Sequence, residues 1–417
     1  MKFVINGGKK LSGNVSISGS KNSALALIAA TILSNDECIL DNVPDIYDVD
    51  VMLEILSRLG AVIKRADHKV IISCKNLKNE KPDEKLTKKL RASVLLLGPL
   101  LSRFGFIEMR HPGGDIIGKR PVDTHLEAFV NLGAQIEREA DCYHLKASKL
   151  IGTKMFLDEV SVTATENTIM ASVLAEGRTE ISPAACEPHV VDLVRFLRKM
   201  GANISGEGSH TIIIEGVDKL HGAQHQVISD YLEAGTFAIL GAATNSELSI
   251  QNISFEQVVP VMHKLKQMGA NVEYKNDILY IKTSNQLNAA KIQIDTWPRL
   301  PTDLQAPFCV LATQARGTSL IHDWMFERRL NYIDELIKMG ADIILCDPHR
   351  ALVTGPSLLT GTMIISPDIR AGIALVIAAL VANGTSHIDN VHLIDRGYEH
   401  IDQKLQDIGA DIIRINE

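Results

Sequence analysis

Apolar and polar positions recur along this chain in a pattern about 70 residues long. A short phrase returns six times: LGAVI at Leu59, LGAQI at Leu132, MGANI at Met200, MGANV at Met268, MGADI at Met339 and IGADI at Ile408. Their glycines, Gly60, Gly133, Gly201, Gly269, Gly340 and Gly409, are separated by 73, 68, 68, 71 and 69 residues. Before each phrase lies a stretch with apolar residues at helical spacing, such as Val191–Met200 or Leu330–Met339, often with Lys or Arg in its last turn. The glycine then suits the left-handed position that ends a helix, and β-branched residues after it start a strand. Near-constant spacing of this kind marks a repeat architecture.

A second phrase precedes a different kind of helix. Short strands in Lys10–Asn22, Lys149–Asn167, Lys219–Gly235 and Leu358–Gly372 run into polar turns. Each turn opens a helix that is apolar nearly all round, such as Ser23–Leu33 or Ile373–Ala382, and such a helix belongs in a core. The repeated unit is therefore βαβαββ-like, and six units predict an α/β fold of two pseudo-threefold domains around buried helices. The last GA phrase leaves the sixth unit no room for its closing strands, so residues 1–20 are expected to complete it. The predicted domains are 21–229, carrying a loop at 111–121, and 1–20 plus 230–417, with the active site in the cleft between them.

Composition narrows the function. The chain has 417 residues, 46% of them hydrophobic and 22% charged, as in ordinary globular proteins. Its formal charge of −7 makes it a poor general binder of nucleic acid or anionic membrane, so an anionic ligand needs a local cluster of positive charge. Six scattered cysteines form no CxxC pair, and the 14 histidines are dispersed along the chain; no metal is expected. The start lacks a signal-peptide core, and the longest near-apolar run, Ile373–Ala382, is too short to span a bilayer. A cytoplasmic protein is expected.

Chemistry-bearing side chains gather in the turns. Lys21, Asn22, Arg91, Ser161–Thr163, Asp230–Glu233, Asp303 and Arg370 precede buried helices, whose N-terminal N–H groups favour anions. Lys119, Arg120, Arg328, Arg329 and Arg396 precede amphipathic helices, and arginine binds planar carboxylates and phosphates in bidentate fashion. The loop His111–Asp123 has three glycines, with Asp115 at its middle, and reads as a lid. The SxxK match at Ser18–Lys21 lacks its SDN and KTG partners, and no P-loop or HExxH motif occurs. His125 reads as a packed residue.

The motifs ISGSKN, LRAS, PGGDIIGKRPVD, SVTATEN, LPTDLQA, FERR and DRGYEH stand in an order that resembles the UDP-N-acetylglucosamine 1-carboxyvinyltransferase family along essentially the whole chain. The resemblance implies a two-domain enolpyruvyl transferase fold. It also implies transfer of enolpyruvate from phosphoenolpyruvate to the 3′-hydroxyl of UDP-N-acetylglucosamine, the first committed step of peptidoglycan synthesis. It implies no cofactor, no nucleic acid, no membrane insertion and no obligate protein partner. By position, Lys21, Asn22, Arg120, Arg370 and Arg396 match the phosphoenolpyruvate contacts. Arg91, Arg120, Pro121, Val122, Asp123, Thr124, Ser161, Val162, Thr163, Asp303 and Met325 match the nucleotide-sugar contacts. Asp303 is the implied base, and Glu327, Arg329 and Asp368 match the surrounding charged network.

Asp115 stands where most members of that family have a reactive cysteine. The resemblance assigns this position as general acid, with Lys21 and Arg396 also in the catalytic set. A carboxyl group donates a proton near neutrality only if its pKa rises from about 3.9, which burial favours and Lys119 and Arg120 oppose. A carboxylate is also a far weaker nucleophile than a thiolate, so insensitivity to the epoxide fosfomycin is expected. Thr163, Tyr231 and Arg328 are smaller departures from the family pattern. The sister enzyme that makes 5-enolpyruvylshikimate 3-phosphate and a non-catalytic repeat scaffold are the competing readings. Measuring phosphate release with each acceptor separates the first, and ligand-induced thermal shift the second.

Overall fold

The computed structural model describes residues 1–115, 117–139 and 141–416; Ile116, inside the expected loop 111–121, Ala140 and the C-terminal Glu417 lie outside the described residues. Among the described residues the strands form six sheets, five of four strands and one of three. The six phrase glycines all have positive φ, between 84° and 102°. In every case the alanine after the glycine donates its N–H back to the carbonyl five residues earlier: Ala61 to Leu56, Ala134 to Phe129, Ala202 to Leu197, Ala270 to Leu265, Ala341 to Leu336 and Ala410 to Leu405, at 2.9–3.0 Å. This is the Schellman closure that only a left-handed residue permits at low cost. A strand follows each closure, from Val62–Ala66 through to Asp411–Ile415.

The chain divides into two compact units. The first comprises Gly19–Gly114 and Arg120–Ile228, the second Met1–Ser18, Asp115–Lys119 and Ser229–Glu417. The breaks thus fall at 18/19 and 228/229, one or two residues before the expected positions. A larger difference concerns the loop at 111–121, which was expected to lie wholly with the first unit. Its residues 115–119 cluster with the second, where Arg328 N–H donates to the Ile117 carbonyl at 3.0 Å and Lys119 N–H to Glu327 Oε1 at 3.2 Å.

Each unit has its own core of buried apolar side chains. In the second unit, Tyr231–Ala243, Gln305–Thr313 and Ile369–Val381 pack on one another, and all thirteen residues of Tyr231–Ala243 are buried. A helix apolar on every face has no stable alternative to such burial. Strand Lys2–Asn6 lies between Thr385–Asp389 and Asp411–Ile415, so the N-terminus completes the last sheet of the second unit. Strand Ser12–Ser16 pairs in parallel with Glu247–Gln251, also in the second unit. Gln224–Gln226 pairs in parallel with Glu37–Asp41 in the first. The second unit therefore takes two strands, and the first unit one, from chain that precedes the other unit's first buried helix.

The sheet Phe106–Arg110, Cys142–Lys146 and Gln135–Glu139 has three strands. The expected leading strand is replaced by the short helix Glu84–Thr87, because the polar run Glu80–Lys89 offers no alternating apolar face.

Candidate active site

In the first unit, Lys21 opens helix Lys21–Ala30. Its ammonium lies 2.7 Å from Asp48 Oδ2, a carboxylate that is almost fully buried. Asn22 beside it is half-buried. Ser20 caps the helix by accepting from Ser23 N–H. One turn in, Ser23 Oγ donates to Asp192 Oδ2 at 2.5 Å, and Asp192 Oδ1 lies 2.8 Å from His225 Nε2. Ile228 N–H also reaches Asp192, at 3.3 Å. The turn carrying Lys21 is thus held by two buried carboxylates, Asp48 and Asp192, the second of which also meets His225 and Ile228 N–H. None of Asp48, Ser23, Asp192 and His225 was among the expected site residues. The available signal was an acid on the apolar face of an amphipathic helix, which is costly unless partnered.

Arg91 was expected to line a nucleotide-sugar site. Its guanidinium donates to the carbonyls of Arg120, Pro121 and Pro112, and so binds both legs of the glycine loop. Burial, reinforced by the neighbouring charge of Arg120, pushes its pKa down to about 10. Gly114, at φ 110°, lies so close that an added Cβ would fall 2.6 Å from Arg91 Cβ. The loop's glycines therefore serve close approach as well as backbone freedom.

The remaining expected residues of this unit divide by role. Val122 is in the core, Pro121 is exposed, and exposed Asp123 pairs with Arg138 at 2.9 Å. Thr124 donates to Glu159 at 3.2 Å, and Arg120 is half-buried. Ser161 caps helix Val162–Ser172 through Ala164 N–H, and Val162 packs against the core. Thr163 Oγ1 lies 3.1 Å from His125 Nε2, while Asn167 Nδ2 donates to His125 Nδ1 at 2.9 Å. Asn167 can only donate there, so the ring is neutral, with its proton on Nε2.

Burial, with Arg91 nearby, pushes the His125 pKa down to about 3 from 6.5. The folded state thus resists a proton that the unfolded chain accepts. Stability is complete above about pH 6.5 and is lost as pH falls toward 3. A melting series from pH 7 to pH 4 is expected to show a steeper acid loss in wild type than in His125→Gln. Equal slopes would show that His125 does not govern this window.

In the second unit, Asp303 is the centre. Its Oδ1 accepts from Arg329 at 2.5 Å and its Oδ2 from Arg370 Nε at 3.1 Å. Both arginine side chains are nearly buried, whereas Asp303 is about one quarter exposed. Burial alone would weaken the charge of Arg370, but Tyr398, Asp303 and Asp230 outweigh it and raise its pKa; the guanidinium lies 5.2 Å over the Tyr398 ring. Arg370 Nη1 is buried with no hydrogen-bond partner. Burial likewise opposes the charge of Arg329, and Asp303, Asp368 and Asp323 outweigh it.

Asp368 has one oxygen committed to capping helix Ile369–Val381, accepting from Arg370 and Ala371 N–H at 2.8 and 2.9 Å. Asp230 caps Tyr231–Ala243 in the same way. Arg396 is ion-paired with Asp115, and both side chains are largely buried. Glu327 is exposed and holds Lys119 N–H, and Met325 packs at the core edge.

Asp323, another unexpected participant, accepts from Thr302 Oγ1 at 2.6 Å and from the N–H groups of Met325 and Phe326. It therefore orders both the turn before Asp303 and the loop that carries Glu327 and Arg329. Among the described residues, Glu108, Cys142 and His144 bring three metal-ligand atoms within 4.8 Å of one another. The Lys81 ammonium already sits 2.6 Å from Glu108 Oε1 as their cation. Sequence spacing concealed this group because its members lie on neighbouring strands.

The structure therefore assembles two clusters, Lys21 with Asp48 and Asp303 with Arg329 and Arg370, and beside these a separate Arg396–Asp115 ion pair. The chain matches the family model for EPSP synthase (3-phosphoshikimate 1-carboxyvinyltransferase) over residues 5–405. It is 47% identical over 421 aligned residues to the UDP-N-acetylglucosamine 1-carboxyvinyltransferase of Borrelia garinii subsp. bavariensis, covering 99% of each chain. It is 46% identical to that of Treponema denticola, covering 99% of this chain and 98% of the other. Among solved structures, the enolpyruvyl transferase NikO from Streptomyces tendae aligns with a TM-score of 0.89 at 25% identity, covering 99% and 98% of the two chains. EPSP synthase from Acinetobacter baumannii shares the fold, with a TM-score of 0.76 at 22% identity over the full length of both. The chain is an enolpyruvyl transferase and belongs to the family of UDP-N-acetylglucosamine 1-carboxyvinyltransferases.

Proposed function

We propose that this enzyme transfers the enolpyruvyl group of phosphoenolpyruvate to the 3′-hydroxyl of UDP-N-acetylglucosamine, with release of phosphate, in peptidoglycan synthesis. The observation that carries the reading is Asp303 between two buried arginines, one of which keeps a buried, unpartnered N–H donor. A carboxylate beside donors for an anion suits a reaction that must take a hydroxyl proton while neutralising a phosphate and a carboxylate. Full-length relatives that bear the name of this activity support the choice of acceptor.

In the proposed reaction, Asp115 protonates C3 of phosphoenolpyruvate. The sugar O3′ forms a bond to C2 and its proton passes to Asp303. C3 then returns a proton to the ionised Asp115, the C2–oxygen bond to phosphate breaks with its electron pair leaving on the phosphate, and the vinyl ether is left on the sugar. Arg370, Arg396, Arg120 and Lys21 hold the phosphate and carboxylate, with Asn22 beside them. Arg396 pairs with Asp115 in the structure. An incoming dianion competes for that arginine and frees the carboxyl group to act. Arg91 acts on the nucleotide sugar through the loop it clamps. Thr163, fixed by His125, and Ser161 contribute to the same subsite, with Arg120–Thr124 and Met325.

The reading extends to a cytoplasmic location, supported by six free cysteines, five of them buried, as expected in a reducing compartment. Among the described residues no helix is long and apolar enough to cross a membrane. Mass spectrometry of the product tests the reaction. UDP-N-acetylglucosamine carrying one enolpyruvyl ether at O3′ is expected; an unmodified nucleotide sugar after prolonged incubation with phosphoenolpyruvate would contradict it.

A further inference from the structure

The C-terminal strand Asp411–Ile415 carries a side chain outside both clusters described above. Arg414 spreads its guanidinium between two carboxylates. Nη1 and Nη2 donate to Asp395 Oδ2 and Oδ1 at 2.7 and 2.8 Å, and Nε and Nη2 donate to Asp402 Oδ2 and Oδ1 at 2.9 and 2.8 Å. The group also lies 4.8 Å over the ring of Phe3, on the strand that pairs with its own. All three charged side chains are less than one third exposed.

The two carboxylates bracket one loop. Asp395 belongs to the 3₁₀ turn Val391–Arg396, immediately before Arg396. Asp402 is the second residue of helix Ile401–Asp407. Between them run Gly397–His400, which include Tyr398. The Tyr398 ring lies beneath Arg370, and its hydroxyl is 2.9 Å from Thr236 Oγ1. One guanidinium thus ties both ends of a segment that presents one site arginine directly and supports a second through an aromatic ring. A planar fork is the only basic side chain that can bind two carboxylates in this way; a lysine offers a single point charge.

We propose that Arg414 is a positioning residue for phosphoenolpyruvate, holding Arg396 and the Tyr398–Arg370 stack in the geometry that receives its phosphate and carboxylate. The inference rests on the enolpyruvyl-transfer reading above. Arg414 touches neither substrate. Its removal takes away the ion pairs at both ends of the loop, and small displacements of an anion-binding arginine carry large kinetic penalties.

The test is steady-state phosphate release by the full-length enzyme, with each substrate varied in turn. Arg414→Ala is expected to raise KM for phosphoenolpyruvate by about tenfold or more while KM for UDP-N-acetylglucosamine changes less than about twofold. Arg414→Lys is expected to fall between the two, because it can satisfy one carboxylate. If Arg414→Ala does not fold, Asp402→Asn removes one arm of the clamp, and the same split is expected in weaker form. Equal changes in both KM values, or a lower Tm with unchanged phosphoenolpyruvate KM, would make Arg414 a purely structural residue and overturn the inference alone. A wild-type enzyme that releases no phosphate from these substrates would overturn the underlying reading as well.

Discussion

Asp115→Asn is expected to slow phosphate release by about 10²–10⁴-fold, the range associated with losing a positioned general acid. Asp115→Cys is expected to retain turnover and to become inactivated by fosfomycin. The two substitutions separate the roles of one position. Asparagine keeps the shape and can still accept a hydrogen bond from Arg396, but it has no proton to give. Cysteine supplies both an acid and a nucleophile. Wild-type enzyme is expected to survive fosfomycin, because a carboxylate ion-paired with Arg396 attacks an epoxide far more slowly than a thiolate. Time-dependent inactivation followed by intact mass checks this. A covalent adduct on wild-type Asp115 would contradict it, as would an Asp115→Cys enzyme that remains resistant while active.

Asp303→Asn carries the second large effect. Here too the expected loss in kcat is about 10²–10⁴-fold, because the amide cannot take the hydroxyl proton. The substitution also removes the charge that faces Arg329 and Arg370, which are 4% and 6% exposed. Removing one partner of a buried ion pair costs about 3–5 kcal/mol. The introduced amide would keep one acceptor, and the carboxylate it replaces is partly solvated, so a smaller cost is expected, visible as a lowered Tm. KM for UDP-N-acetylglucosamine is expected to change little, since the base acts in the transition state. A variant with wild-type kcat would remove Asp303 from the chemistry.

The repeat architecture was legible because it rests on local physics. A glycine that must adopt positive φ after an amphipathic stretch, followed by β-branched residues, leaves a mark at every one of its six occurrences. The all-round apolar helices were legible for the same reason, and so was the return of the N-terminal strands to the C-terminal unit. The motif turns pointed to the arginines and to Asp303. Partnership was not legible. Nothing local says that Lys21 meets Asp48, that Arg91 spends its donors on loop carbonyls, or that Asp368 is chiefly a helix cap. Asp192, Asp323 and Arg414 were missed because each works through contacts 19 or more residues away, or through pairs formed across two elements. The affiliation of residues 115–119 with the second unit was missed for a related reason. A glycine-rich loop reveals that it can bend, but the backbone hydrogen bonds from Lys119 and Arg328 decide where it rests.

This enzyme is expected to couple phosphoenolpyruvate to a nucleotide sugar. The most direct measurement is phosphate release by wild-type enzyme with phosphoenolpyruvate and either UDP-N-acetylglucosamine or shikimate 3-phosphate as acceptor. Release that depends on UDP-N-acetylglucosamine and is absent with shikimate 3-phosphate is the expected result. Release with shikimate 3-phosphate, or with neither acceptor, would contradict it.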